Sequence, residues 1–181
     1  HNSFGPRPML GSNGGETIRI GVSVYSMFTS GTIVENNIFD RCDGEAMIIS
    51  SKSTGNVYRG NLFLRSRGTL TLGDGDDSLV ERNVFLGRGK DHTGGIRVIN
   101  RNQTVRDNYM EGLRGTGFAS ALTVMNGVPN SPVNRYVQVS NAHIGRNSVV
   151  DSAEVALGAG ASAERTAAPV DSHMSANLFS G

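Results

Sequence analysis

Val34-Glu35-Asn36-Asn37-Ile38-Phe39 decides the fold, because the stretch returns along the whole chain. Copies stand at Tyr58-Arg-Gly-Asn61-Leu-Phe63, Val80-Glu-Arg-Asn83-Val-Phe85, Val105-Arg-Asp-Asn108-Tyr-Met110, Ile144-Gly-Arg-Asn147-Ser-Val149 and Met174-Ser-Ala-Asn177-Leu-Phe179, with a shortened copy at His1-Asn2-Ser3-Phe4. Each reads apolar, two mostly polar residues, Asn, any residue, apolar. The asparagines lie at positions 2, 37, 61, 83, 108, 147 and 177, so successive intervals are 35, 24, 22, 25, 39 and 30 residues. A fixed period in this range marks a solenoid, in which each repeat buries its apolar face only against its neighbours. The short intervals fit one coil of a large β-helix, and the long ones fit a coil with a loop inserted.

Asn suits a coil corner, since it tolerates left-handed backbone and can bond its own main chain. Stacked in register, its amides can also bond from coil to coil, as in other in-register sheets. These asparagines are therefore structural. A further strand per coil is expected from Thr17–Ile20, Ala46–Ile49, Thr69–Leu72, Gly95–Ile99, Ala121–Val124 and Glu154–Leu157, whose compositions are β-type. Parallel strands joined by crossovers are right-handed almost without exception. The expectation is an all-β chain, a right-handed parallel β-helix of about seven coils, with residues 1–181 as a single domain. Residues 161–168 have helix-compatible composition before Pro169.

Bulk properties agree. Of 181 residues 24 are Gly, and 37% are hydrophobic, which favours short strands and tight turns. A net charge of +1 gives no nucleic-acid footprint. No apolar run reaches the roughly 20 residues of a membrane span. Cys42 is the only cysteine, so no internal disulfide forms, and a small buried hydrophobe is expected there.

Departures from the repeat are where chemistry is to be sought. They are Asn13-Gly-Gly-Glu16, Gly44-Glu45-Ala-Met47-Ile-Ile-Ser-Ser-Lys52-Ser53 and Gly68-Thr-Leu-Thr-Leu72-Gly73-Asp74-Gly75. Lys52 precedes Gly73 by 21 residues and Asp74 by 22, close to one coil, so the three should lie side by side. Glu45 and Met47 should share a face by the period of a strand. Arg97, between Ile96 and Val98, should point away from the core.

These runs resemble polysaccharide lyase family 6, the alginate lyases and chondroitinase B-like enzymes. So do Asn13-Gly-Gly-Glu-Thr-Ile-Arg-Ile-Gly21, Asp91-His-Thr-Gly-Gly-Ile-Arg-Val-Ile99, Leu122-Thr-Val-Met-Asn-Gly-Val-Pro-Asn-Ser-Pro132 and Ala163-Glu-Arg165. The resemblance covers nearly the whole chain, in order, and places it as the central section of a longer β-helix. It implies calcium-assisted β-elimination on a uronate polymer such as alginate, in a secreted or periplasmic protein. It also implies Asn13 and Glu45 as calcium ligands, Lys52 as the base, and His92 and Arg97 as substrate-facing residues. The pattern is broken at three points. Met47 stands where a second calcium-binding Glu is expected, Gly73 where the catalytic Arg is expected, and Asp74 where a His is expected. Calcium prefers six to eight oxygen ligands, and a thioether is a poor one, so its binding should be weak or lost. Gly73 removes assistance to the leaving group. An acidic neighbour favours a charged lysine and works against its use as a base.

The expected function is thus an alginate lyase-type enzyme with an impaired site; the alternative is an inactive or engineered β-helix, or a carbohydrate-binding remnant. An anionic polysaccharide is the expected partner, with self-association through open helix ends as a further possibility. Three plainer readings accompany these. Asp74, Asp76 and Asp77 form either a substitute metal cluster or a solvated acidic turn. Lys52 is either the base or half of a surface ion pair with Asp74. His92 either lines a cleft or bonds a turn.

Overall fold

The structure is a computed structural model that describes residues 1–181. Nineteen strands and two short 3-10 turns follow one another along the chain. All strand pairings within the sheets are parallel and join residues about one coil apart, which defines a parallel β-helix with three sheets. Sheet I holds Ser3–Phe4, Ile38–Asp40, Leu62–Leu64, Val84–Leu86, Tyr109–Glu111, Ser148–Val150 and Leu178–Ser180. Sheet II holds Ile18–Gly21, Met47–Lys52, Gly68–Asp74, Thr93–Val98, Leu122–Met125 and Val155–Ala159. Sheet III holds Ile33–Glu35, Val57–Arg59, Leu79–Glu81, Thr104–Arg106, His143–Gly145 and His173–Ser175.

The repeated motif therefore contains two strands, not one. Val34 and its equivalents lie in sheet III, Phe39 and its equivalents in sheet I, and the asparagine stands just past the corner between them. The left-handed residue is the one before the asparagine: Asn36, Gly60, Arg82, Asp107, Arg146 and Ala176 all have φ between 54° and 62°. The turn thus falls one position earlier than residue preference suggests. It is occupied even by arginine and alanine, because the asparagine is needed inside. Asn61, Asn83, Asn108 and Asn147 are buried. Each side chain from Asn2 to Asn147 donates to the Oδ1 of the next, at 2.9–3.2 Å.

Inside the corner, Phe4, Phe39, Phe63 and Phe85 stack with centroids 4.8, 4.7 and 4.4 Å apart, the spacing of neighbouring strands. The rest of the core is built the same way, in rows such as Ile49, Leu70, Ile96 and Leu122 across sheet II. A row buries apolar surface that no single coil could cover, at about 25 cal/mol per Å². Cys42 lies in this core, 1% exposed, and burial raises its thiol pKa. At the last coil Leu157, Leu178 and Phe179 remain exposed.

Residues 161–168 form no helix. The Ser162 hydroxyl accepts from the main-chain N–H of Glu164 and Arg165, and Ala167 pairs with Gly127 instead. This local side-chain bonding competes with a helix as Ser residues commonly do.

Candidate functional site

Sheet II carries the longest strands, and the extra residues of the long coils cluster beside it. Segments 22–32, 126–142 and 160–172 follow its strands, while segment 5–17 precedes them. Two adjoining depressions result. Asn13, Glu45, Gly68 and His92 line one, at the N-terminal ends of the sheet II strands. Met47, Lys52, Gly73, Asp74 and Arg97 line the other, together with Ser23, Arg135 and Tyr136. Asn13, Glu45, Lys52, His92 and Arg97, and the three positions 47, 73 and 74, thus each border one of the two depressions, whereas Asp76 and Asp77 border neither. Glu45 borders the first depression and Met47 the second. Glu45 precedes the strand, and the register shifts between Met47 and Ile49.

The position of Lys52 is set by a second irregularity. Ser51 pairs with Leu72 but Lys52 pairs with Asp74, so Gly73 is passed over. Lys52 is half-buried and donates from Nζ to Ser23 Oγ at 3.3 Å. It forms no surface ion pair, because Asp74 is 7% exposed and lies among Ser23 and Lys52 without a salt bridge. Burial raises the Asp74 carboxyl pKa, and the Ser23 hydroxyl and the Lys52 charge only partly offset this. Asp76 and Asp77 do not join Asp74 as a metal cluster. Asp76 accepts from the main chain and side chain of Arg101, and Asp77 from Asn102, both toward the next coil.

The sign of the Asp74 shift gives a stability prediction. A folded-state pKa above the unfolded value of 3.8 makes ionisation costlier in the folded chain, so stability falls as pH rises through that window. Asp74→Asn removes this cost. It is expected to raise the melting temperature by about 2 °C near pH 7 and to give no gain near pH 3. A lower melting temperature near pH 7, measured by circular dichroism, would show that the Ser23 and Lys52 contacts outweigh burial.

Around Glu45 the donor set does not suit calcium. Its Oε2 accepts from the N–H of Gly14 and Gly15 at 3.0 and 3.3 Å, which leaves Oε1 as the one unshared oxygen, buried and without a partner. Asn13 is exposed, and Met47 offers sulfur from the neighbouring depression. Asp43 borders the same space, a carboxylate that residue patterns did not suggest, but it is bound to Lys90 at 2.6 Å and to the Arg67 N–H at 2.8 Å. No group of three or more His, Cys, Asp or Glu side chains is placed to hold a metal. The side chains alone supply far fewer than six to eight oxygens, so the residues present fit the ion poorly.

His92 is exposed, with left-handed backbone (φ 62°), and its carbonyl accepts from the Gly68 N–H at 3.0 Å. Its main chain thus holds the turn while its side of the depression remains open. Arg97 points away from the core, as its alternation with Ile96 and Val98 suggests, yet it is 8% exposed. Phe118 covers it, the ring centroid 5.7 Å from the guanidinium carbon. Arg165 reaches the same ring from the opposite loop, at 5.6 Å, and Tyr136 at 5.1 Å. Ser23, Phe118, Arg135 and Tyr136 were not recognised from sequence. The signal available was the excess length of the 35- and 39-residue intervals, within which all four fall.

Sheet II is thus the longest face of the helix, flanked by loops and bordered by Lys52, Arg97 and Arg135. The family described as Chondroitinase B matches residues 1–178, and the chain belongs to that family, within polysaccharide lyase family 6. The alginate lyase AlyGC of this family is 61% identical, with a TM-score of 0.95 over 96% of this chain and 24% of its own. A mannuronic acid-specific family 6 lyase from human gut microbiota is 37% identical, with a TM-score of 0.85 over 99% of this chain and 42% of its own. A family 6 alginate lyase in complex with a trisaccharide is 28% identical, with a TM-score of 0.82 over 92% of this chain and 40% of its own. The chain thus spans less than half the length of each of these structures. No curated protein matches it.

Proposed function

We propose that this chain takes an alginate-type uronate polymer along the outer face of sheet II and belongs to a lyase whose elimination apparatus is impaired here. The observation behind this is the pairing at the centre of the depression: Lys52 stands in register with Asp74, and position 73 presents no side chain. Elimination removes the C5 proton of a uronate, forms a double bond between C4 and C5, and expels the oxygen at C4, which then takes up a proton. Lys52, the base that the family resemblance implies, is the group assigned here to accept the C5 proton, once it has lost its own. The expelled oxygen finds no donor at Gly73, and the carboxylate opposite Lys52 both favours its charged form and repels a uronate. Calcium, in this proposal, is held weakly or not at all. The setting would be secreted or periplasmic, where such polymers are met.

Mixing the chain with alginate, with its polymannuronate and polyguluronate blocks and with dermatan sulfate is expected to show uronate binding and only a slow rise in near-ultraviolet absorbance from unsaturated products. Failure of all four polymers both to bind and to be cleaved would remove the proposal.

A further inference from the structure

Arg97 is unlike the other arginines that approach the body of the helix. Arg101, Arg106 and Arg146 each meet a carboxylate, on Asp76, Glu81 and Asp107. Arg97 is more deeply placed, and its Nε is buried without any acceptor. What surrounds it is the face of Phe118, the Tyr136 side chain, and the charge of Glu45 beyond bonding distance. Burial accordingly lowers the pKa of this guanidinium. A buried cation without a partner is among the costliest features a fold can keep, and it is tolerated where something else supplies the counter-charge.

The depression that Arg97 borders holds about 190 Å³ and is lined by Lys52, Arg97 and Arg135, with Asp74 as its one carboxylate. Arg135 is already paired with Glu164. Lys52 has only the Ser23 hydroxyl. Two cations without a carboxylate partner therefore border one space, beside a calcium ligand set that is incomplete. We infer that this depression binds the carboxylate of a uronic acid without a divalent cation, Arg97 and Lys52 together supplying the positive charge. The inference rests on the uronate-binding proposal above. A guanidinium can meet a carboxylate with two parallel N–H bonds, which a lysine cannot, and Phe118 packed on its face holds the plane in position.

The test is calorimetric titration of the chain with tetramannuronate and tetraguluronate, first in excess EDTA and then in millimolar calcium. Carboxyl-reduced oligomers of the same length serve as comparison. Expected is binding of at least one uronate oligomer in EDTA, with an affinity that calcium changes by less than about twofold. Arg97→Gln should weaken it by about tenfold or more, Arg97→Lys should restore only part, and carboxyl reduction should abolish it. The reduced oligomers need no mutation, so they decide the matter even if Arg97→Gln fails to fold. Binding that appears only with calcium, or that Arg97→Gln leaves unchanged in a folded chain, overturns the inference while the uronate proposal stands. No uronate binding in either buffer overturns both.

Discussion

Alginate is expected to be cleaved at least about 100-fold faster once Met47→Glu, Gly73→Arg and Asp74→His are combined, because proton transfer to the leaving oxygen is typically worth 10²–10⁴ in rate. The scaffold can accept the central change. Gly73 does not have left-handed backbone, and a Cβ there would approach Ser51 O at 3.3 Å and Thr71 Cγ2 at 3.8 Å, a tight fit that small shifts relieve. An arginine at 73 would start within the lining of the Lys52 depression. Asp74→His removes the carboxylate in register with Lys52, so the lysine loses its anionic neighbour and the uronate loses a repulsion. Met47→Glu returns a carboxylate to the strand after Glu45. Gly73→Arg alone should recover part of the gain, and Met47→Glu alone little without a donor for the leaving group. Initial rates of near-ultraviolet absorbance, with and without calcium, measure each. A triple variant that folds, binds alginate and remains no faster than the parent would show that these three positions do not limit turnover.

Fold and site differ in how much of each is legible in residue order, for a physical reason. In a solenoid every coil meets the same neighbours, so Asn37, Asn61, Asn83, Asn108 and Asn147 occupy equivalent buried places and repeat visibly. The third sheet was hidden because the motif around each asparagine is compact enough to pass for one element while it turns a corner at Asn36, Gly60 or Arg82. At the site, the neighbourhood of Lys52, Gly73 and Asp74 was legible from the coil length, but the local register was not. The shift between Met47 and Ile49 and the omission of Gly73 alter which side chains meet, and neither irregularity has a composition signal. The covering of Arg97 was invisible for another reason. It depends on Phe118 and Tyr136 from distant parts of one long coil and on Arg165 from the next. The absence of an acceptor is a property of that assembly and of no residue within it.

The asparagine ladder itself yields the second large effect. Asn83 is fully buried and has every polar group of its side chain in use. Its Nδ2 donates to Tyr58 O at 2.9 Å, Glu81 O at 3.1 Å and Asn108 Oδ1 at 3.0 Å. Its Oδ1 accepts from both the main-chain N–H and Nδ2 of Asn61, each at 3.0 Å. Asn83→Ala strands a main-chain N–H and a carbonyl in an interior closed to water, at roughly 1–3 kcal/mol for each group, so a loss of about 3–4 kcal/mol is expected. Denaturant unfolding followed by circular dichroism measures it, and melting should fall by about 10 °C. Asn83→Asp should be worse still, because a carboxylate keeps the acceptor but loses all three donations and brings a charge into the core. Asn2 is the control. It lies exposed at the end of the same ladder and donates only to Asn37, so Asn2→Ala should cost less than about 1 kcal/mol. Equal losses at positions 2 and 83 would mean that the ladder follows from the coil geometry and does not hold it. A gradient from the end to the middle would mean that each amide is fixed by the coils on both sides.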